Sequence, residues 1–162
     1  LLGVAPFSKH AGKMYPLDKM KNLLMSLNQV GNVHLIFLGS KQESTLLQEW
    51  AKEIPGSINV AGKYSFEEEL GIISNLSLVL SMDSANVHLA SLFKVPVITV
   101  WGETHPFAGF QGWGQPDSHN VQLDIPCRPS SIYGQKKHFR KKDDCMVWMS
   151  EQVILDKIKT LI

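Results

Sequence analysis

Leu78-Val79-Leu80-Ser81-Met82-Asp83-Ser84-Ala85-Asn86-Val87-His88-Leu89-Ala90 is the stretch on which the fold turns. Its first three residues are apolar and, with Ser81, form a run with the length and β-branching of a buried strand. Asp83 and Ser84 then stand where a helix begins, and residues 86–92 carry the helical pattern. A strand that leads through a polar corner straight into a helix is one unit of a parallel sheet.

The same unit recurs on both sides of it. Upstream, residues 1–5, 34–38 and 58–60 read as strands, and residues 17–27 and 43–54 read as helices, the second stopped by Pro55-Gly56. Ser65 and Glu68 have the spacing of a capping box that opens a helix running through Ile73. Downstream, residues 95–100 form another strand. Consecutive units of this kind give an α/β fold, a Rossmann-like parallel sheet with helices on both faces. Beyond Trp101 the texture changes to Gly, Pro and aromatics, which predicts long loops. An edge strand near residues 120–123 and a closing helix over 151–162, capped by Ser150, complete the reading.

The 162 residues suffice for one domain with a real core and fall short of two, so residues 1–162 are read as a single domain. Hydrophobic residues at 44% and charged residues at 19% exclude disordered and fibrous classes. Sixteen basic against fifteen acidic residues leave no global field that would attract nucleic acid. No apolar run approaches the ~18 residues of a spanning helix. The chain opens on Leu1-Leu2-Gly3 as though cut from something longer, and two cysteines, Cys127 and Cys145, suit a reducing cytoplasmic setting.

Ligands of open parallel sheets bind beyond the carboxyl ends of the strands, where helix N-termini present free N–H groups to anions. The exit of the first strand carries Ser8, Lys9 and Lys13, a hydroxyl and two cations able to meet a diphosphate. At the exit of the fourth strand, Ser84 and the helix N-terminus could hold a phosphate while Asp83 accepts from sugar hydroxyls; equally, either residue could simply cap the helix. His88, one turn on, is expected as a hydrogen-bonded core imidazole. The basic run 136–142 reads as a solvated loop or as a patch attracted to an anionic lipid surface. Trp101, Phe107, Phe110 and Trp113 read as lining for a ligand cleft or as a packing surface.

The segment 83–90 also resembles the Asp-[Ser/Thr]-Gly-x-x-His-Leu-[Ala/Thr] signature of the bacterial ADP-heptose:lipopolysaccharide heptosyltransferases, glycosyltransferase family nine. Four further pieces resemble that family in the same order. They are Lys13 with Tyr15 and Pro16; Leu38-Gly39 with Glu43; Val60-Ala61-Gly62-Lys63; and residues 101–106, Trp101 through Pro106. The resemblance implies the C-terminal, donor-binding half of a two-domain GT-B enzyme, with an N-terminal acceptor domain outside this chain. It implies transfer of heptose, or a related sugar, from ADP-heptose to a lipopolysaccharide core or similar glycan, with inversion and without a metal or other cofactor. Ser8 and Lys13 would contact the diphosphate, with Lys13 also offsetting leaving-group charge. Glu43 would accept from the ribose, the backbone at Tyr64 would meet adenine, and Asp83 would hold the sugar. Ser84 and Ala85 would give N–H groups to phosphate, with His88 and Thr104 among the substrate contacts.

The catalytic base would lie in the acceptor domain, so the isolated chain is expected to be inactive. The implied partners are the nucleotide sugar, the glycan acceptor, the N-terminal domain and peripherally the inner membrane. Two departures stand out. Ala85 replaces the family's usual Gly, which would strain the loop if that position needs a positive φ. Cys127-Arg128-Pro129-Ser130 resembles a cysteine-clustered family variant with members missing, and Cys127, Cys145 and His138 do not complete a zinc site. A non-catalytic nucleotide-binding module and a nucleotide-sugar epimerase half are the alternatives on the same architecture.

Overall fold

A computed structural model describes residues 1–29, 31, 33–135 and 145–162. The basic run 136–142 and His138 lie outside the described residues. The chain forms one six-stranded sheet, β1 (Leu2–Ala5), β2 (Leu35–Phe37), β3 (Ser57–Asn59), β4 (Leu78–Met82), β5 (Val97–Val100) and β6 (Asn120–Val121). Every neighbouring pair is parallel, in the order β3-β2-β1-β4-β5-β6. This is the doubly wound order, which reverses direction between β1 and β4.

Alternation along the strands builds a core on each face. Leu2, Val4, Leu35, Phe37, Leu78, Leu80 and Met82 point to one side. There they meet α1 (Leu17–Asn28), α2 (Ser44–Glu53) and α6 (Glu151–Lys159) through Leu24, Leu27, Leu47, Trp50, Ile154 and Ile158. Ala5, Ile36, Leu38 and Val79 point to the other side, where α3 (Phe66–Ser74) and α4 (Ala85–Leu92) bring Ile73 and Val87. Both faces of β1 and β4 are covered, which is why their sequences are apolar but for Ser81.

The predicted caps are present. Ser65 accepts from the Glu68 N–H while Glu68 accepts from the Ser65 N–H, a reciprocal box. Ser150 accepts from the Gln152 N–H at 3.1 Å. Several boundaries differ by one to three residues from the sequence reading, β5 starting at Val97 rather than at residue 95 among them. The closing helix stops at Lys159, leaving Ile162 exposed, and β6 is two residues long. A short helix, α5 (Cys145–Trp148), precedes α6 without a sequence-based expectation.

The C-terminal segment is fastened to the first loop by Tyr15. This residue is fully buried and its hydroxyl donates to the Met149 carbonyl at 2.9 Å. Burial, reinforced by the carboxylates of Glu151 and Asp18, pushes its phenol far above the usual range. In the unfolded chain the phenol ionises near pH ~10, while in the folded chain it keeps its proton beyond that. The group's contribution is therefore complete below about pH 10 and declines as the pH rises further. Tyr15→Phe is expected to lower stability by about 1 kcal/mol at neutral pH and to flatten the alkaline decline. Chemical denaturation between about pH 7 and 11 measures both, and identical alkaline slopes would contradict it.

Candidate functional site

The loops after β1, β2 and β4 leave the sheet at the reversal point and enclose a cavity of about 540 Å³. Its lining includes Ser8, Lys13, Glu43, Asp83, Ser84, Ala85 and His88, so seven residues singled out from the sequence converge there.

At its centre the Lys13 ammonium lies 2.8 Å from Asp83 Oδ2, and both side chains are nearly buried, 12% and 4% exposed. Lys13 rides on a 3-10 turn, Ala11–Lys13, and its ammonium also stands 5.5 Å from the Phe110 ring. The Ser8 hydroxyl donates to the Asp83 backbone carbonyl at 3.0 Å, tying the β1 exit to the β4 exit. Here a cation, a hydroxyl and a helix terminus face one space.

Ser84 occupies the N-cap position of α4, yet its side chain makes no capping bond and sits 3.1 Å from the Ser81 hydroxyl. The first N–H groups of α4 are thus left to a ligand or solvent. Ala85 is the first residue of the helix, and Lys94 is the one non-glycine residue with a positive φ among those described. Replacing Gly by Ala here therefore introduces no backbone strain.

Two further carboxylates line the cavity. Glu43 Oε2 accepts from the Ser40 N–H at 2.6 Å, which folds the β2 exit around its carboxylate. Burial pushes the Glu69 carboxyl above its usual range. The cavity is consequently lined by Lys9 and Lys13 together with the carboxylates of Glu43, Glu69 and Asp83, the last paired with Lys13. Such a space suits a ligand with an anionic end and a hydroxyl- or amine-bearing end.

Three expectations need correction. His88 is exposed and lines the cavity; it is not a core imidazole, because α4 buries Val87, Ala90 and Ser91 instead. Thr104 is fully buried outside the lining, and its hydroxyl donates to Asp83 Oδ2 at 2.7 Å. The Tyr64 side chain is half exposed and borders a separate groove with Ile36, Ile58 and Ile72, which leaves the expectation about its backbone as it stood. Trp101 is wholly buried, its indole N–H donating to Asn120 at 2.8 Å, whereas Phe107 and Trp113 are 92% and 88% exposed. Asn86, Glu69 and His10 were not singled out; no local motif marks them, and the packing of α3 on α4 brings the first two to the wall.

Residues 1–139 match the family model described as glycosyltransferase family 9 (heptosyltransferase). The chain belongs to this family. Lipopolysaccharide heptosyltransferase 1 of Campylobacter coli is 26% identical over 161 residues, covering 95% of this chain and 44% of that protein. Lipopolysaccharide heptosyltransferase 3 of Escherichia coli strain K12 is 29% identical over 104 residues, 62% of this chain and 30% of that protein. Among solved structures, ADP-heptose lps heptosyltransferase II of E. coli superposes with a TM-score of 0.75 at 17% identity, over 99% of this chain and 45% of the other. The family 9 glycosyl transferase of Veillonella parvula gives 0.75 at 16% identity, over 99% and 45%. At such identities the superpositions speak for the fold, which is the Rossmann-like sheet expected from the strand and helix alternation. This member of glycosyltransferase family 9 spans about half the length of the relatives it matches, or less. Among its described residues no helix is long and apolar enough to cross a membrane, and no three His, Cys, Asp or Glu side chains are grouped to hold a metal ion.

Proposed function

We propose that residues 1–162 are the donor-binding domain of an inverting heptosyltransferase that uses ADP-heptose and a lipopolysaccharide core or similar glycan acceptor. The observation that carries this reading is the Lys13–Asp83 pair, 2.8 Å apart, facing a cavity beside the uncapped α4 N-terminus. When the acceptor oxygen bonds to the sugar C1, the bond from C1 to the diphosphate breaks and ADP leaves with its electron pair. Fixed donors must offset that developing charge. On this reading Lys13 and the N–H groups of Ala85 and Asn86 would do so, joined by Ser8 if its hydroxyl turns from the Asp83 carbonyl, giving the charge stabilisation that a divalent cation supplies elsewhere.

On this reading Asp83 orients Lys13 and meets a sugar hydroxyl, and Glu43 accepts from the ribose. The backbone of the loop through Tyr64 would meet the adenine edge. Gly62 in that loop packs so closely on the Lys41 backbone that a Cβ there would collide with it, which keeps the loop beside the β2 exit. The base that deprotonates the acceptor would belong to an N-terminal acceptor domain, together with the acceptor site and any contact with the cytoplasmic face of the inner membrane. Heptosyltransferase relatives, and a solved E. coli family member in complex with ADP-2-deoxy-2-fluoro heptose, support the choice of donor.

Calorimetric titration of this chain is expected to show ADP and ADP-heptose binding, UDP-sugars binding more weakly, and no sugar transfer to any acceptor. Absence of nucleotide binding would overturn the donor-site reading, and transfer by the isolated chain would overturn the placement of the base.

A further inference from the structure

Thr104 connects the diphosphate side of the cavity to a residue that never reaches it. Its hydroxyl donates to Asp83 Oδ2 at 2.7 Å, the same oxygen that meets Lys13 at 2.8 Å. Its carbonyl accepts from Arg128 Nη2 at 2.8 Å. The same guanidinium donates through Nε to the Gly102 carbonyl and through Nη1 to the Leu123 carbonyl, and Nη2 reaches Gln122 Oε1 at 3.3 Å. Arg128 thereby grips the β5 exit at both 102 and 104 and joins it to the chain after β6. Between those two points the Glu103 N–H donates to the Gly12 carbonyl at 2.8 Å, one residue before Lys13. Arg128 itself borders a separate groove with His105 and Tyr133.

We infer that Arg128 is a positioning residue for the Lys13–Asp83 pair, acting through Thr104, and that it sets affinity for a diphosphate without touching it. A carboxylate oxygen that accepts from two fixed donors cannot rotate freely, so the ammonium opposite it is held at one point. Only a planar fork with several donors reaches the carbonyls of 102, 104 and 123 together; a lysine cannot. This inference rests on the donor-site reading above.

The test is titration of the chain with ADP and with adenosine, with thermal unfolding of each variant as the control for folding. Arg128→Met and Thr104→Val are each expected to weaken ADP binding about tenfold while leaving adenosine affinity unchanged. Thr104→Ser is expected to restore wild-type ADP affinity, and Arg128→Lys is expected to behave like Arg128→Met although it keeps the charge. In a Lys13→Met background, Arg128→Met should add nothing further, since both changes act on one interaction. Wild-type affinity in Arg128→Lys, or equal weakening for ADP and adenosine, would overturn the positioning role and leave the donor site standing. Failure of the wild-type chain to bind ADP would remove the donor site and the inference with it.

Discussion

Replacing Lys13 with methionine is expected to weaken ADP binding about 100-fold, equivalent to about 2.7 kcal/mol, and to lower the stability of the chain by about 3 kcal/mol. The two losses have different causes. Binding is expected to fall because the ammonium is held between Asp83 and the Phe110 ring, where the proposed donor site would use its charge-assisted bonds to phosphate. Stability falls because methionine keeps the packing of the stem but leaves the Asp83 carboxylate, 4% exposed, without its countercharge. The two can be separated. Adding Asp83→Asn to Lys13→Met removes the uncompensated charge and lets the amide accept from Thr104, so stability should return while ADP affinity does not. Titration calorimetry and denaturant unfolding on the three proteins test this, and unchanged ADP affinity in Lys13→Met would refute the diphosphate assignment.

Much of this site is legible in the chain because each part sits at the end of a local pattern. An apolar run ending in Asp83-Ser84 must leave a strand at the point where a helix starts, and a run ending at Ala5 must deliver Ser8 and Lys13 to the same edge of the sheet. Parallel pairing then does the rest, since β1 and β4 are neighbours with Ala5 opposite Ser81. The Ser65 and Glu68 box is equally local. Thr104 and Arg128 are different. Thr104 meets Asp83 across 21 residues and Arg128 meets Thr104 across 24, through loops whose course no periodicity encodes. Trp101 misled for a related reason. Its neighbours are Gly, Pro and aromatics, but it directly follows β5, where its N–H still bonds to Val121 and its ring is fully buried. His88 was misplaced because a helix of eight residues packed along Val87, Ala90 and Ser91 turns position 88 outward.

Gly102→Ala is expected to cost about 2 to 3 kcal/mol in stability and to reduce ADP affinity at least tenfold, although residue 102 contacts no ligand in the proposed site. A Cβ at this position would collide with the Gly12 carbonyl and crowd the Met146 side chain. The methionine can move; the carbonyl cannot move without shifting the 3-10 turn that carries Lys13. A Cβ on Gly12 would strike the Glu103 carboxylate in turn, so the two loops approach each other through facing glycines. Relief of the clash must therefore separate the β1 and β5 exits and stretch the bond from the Glu103 N–H to the Gly12 carbonyl, now 2.8 Å. Lys13 moves with one loop and Thr104 with the other, so Asp83 Oδ2 can no longer accept from both at once. The consequence distinguishes this change from ordinary overpacking, which would lower the unfolding midpoint and leave affinity alone. ADP titration below the unfolding transition decides between them: wild-type affinity in a destabilised Gly102→Ala chain would show that the contact between the two loops does not govern the diphosphate site.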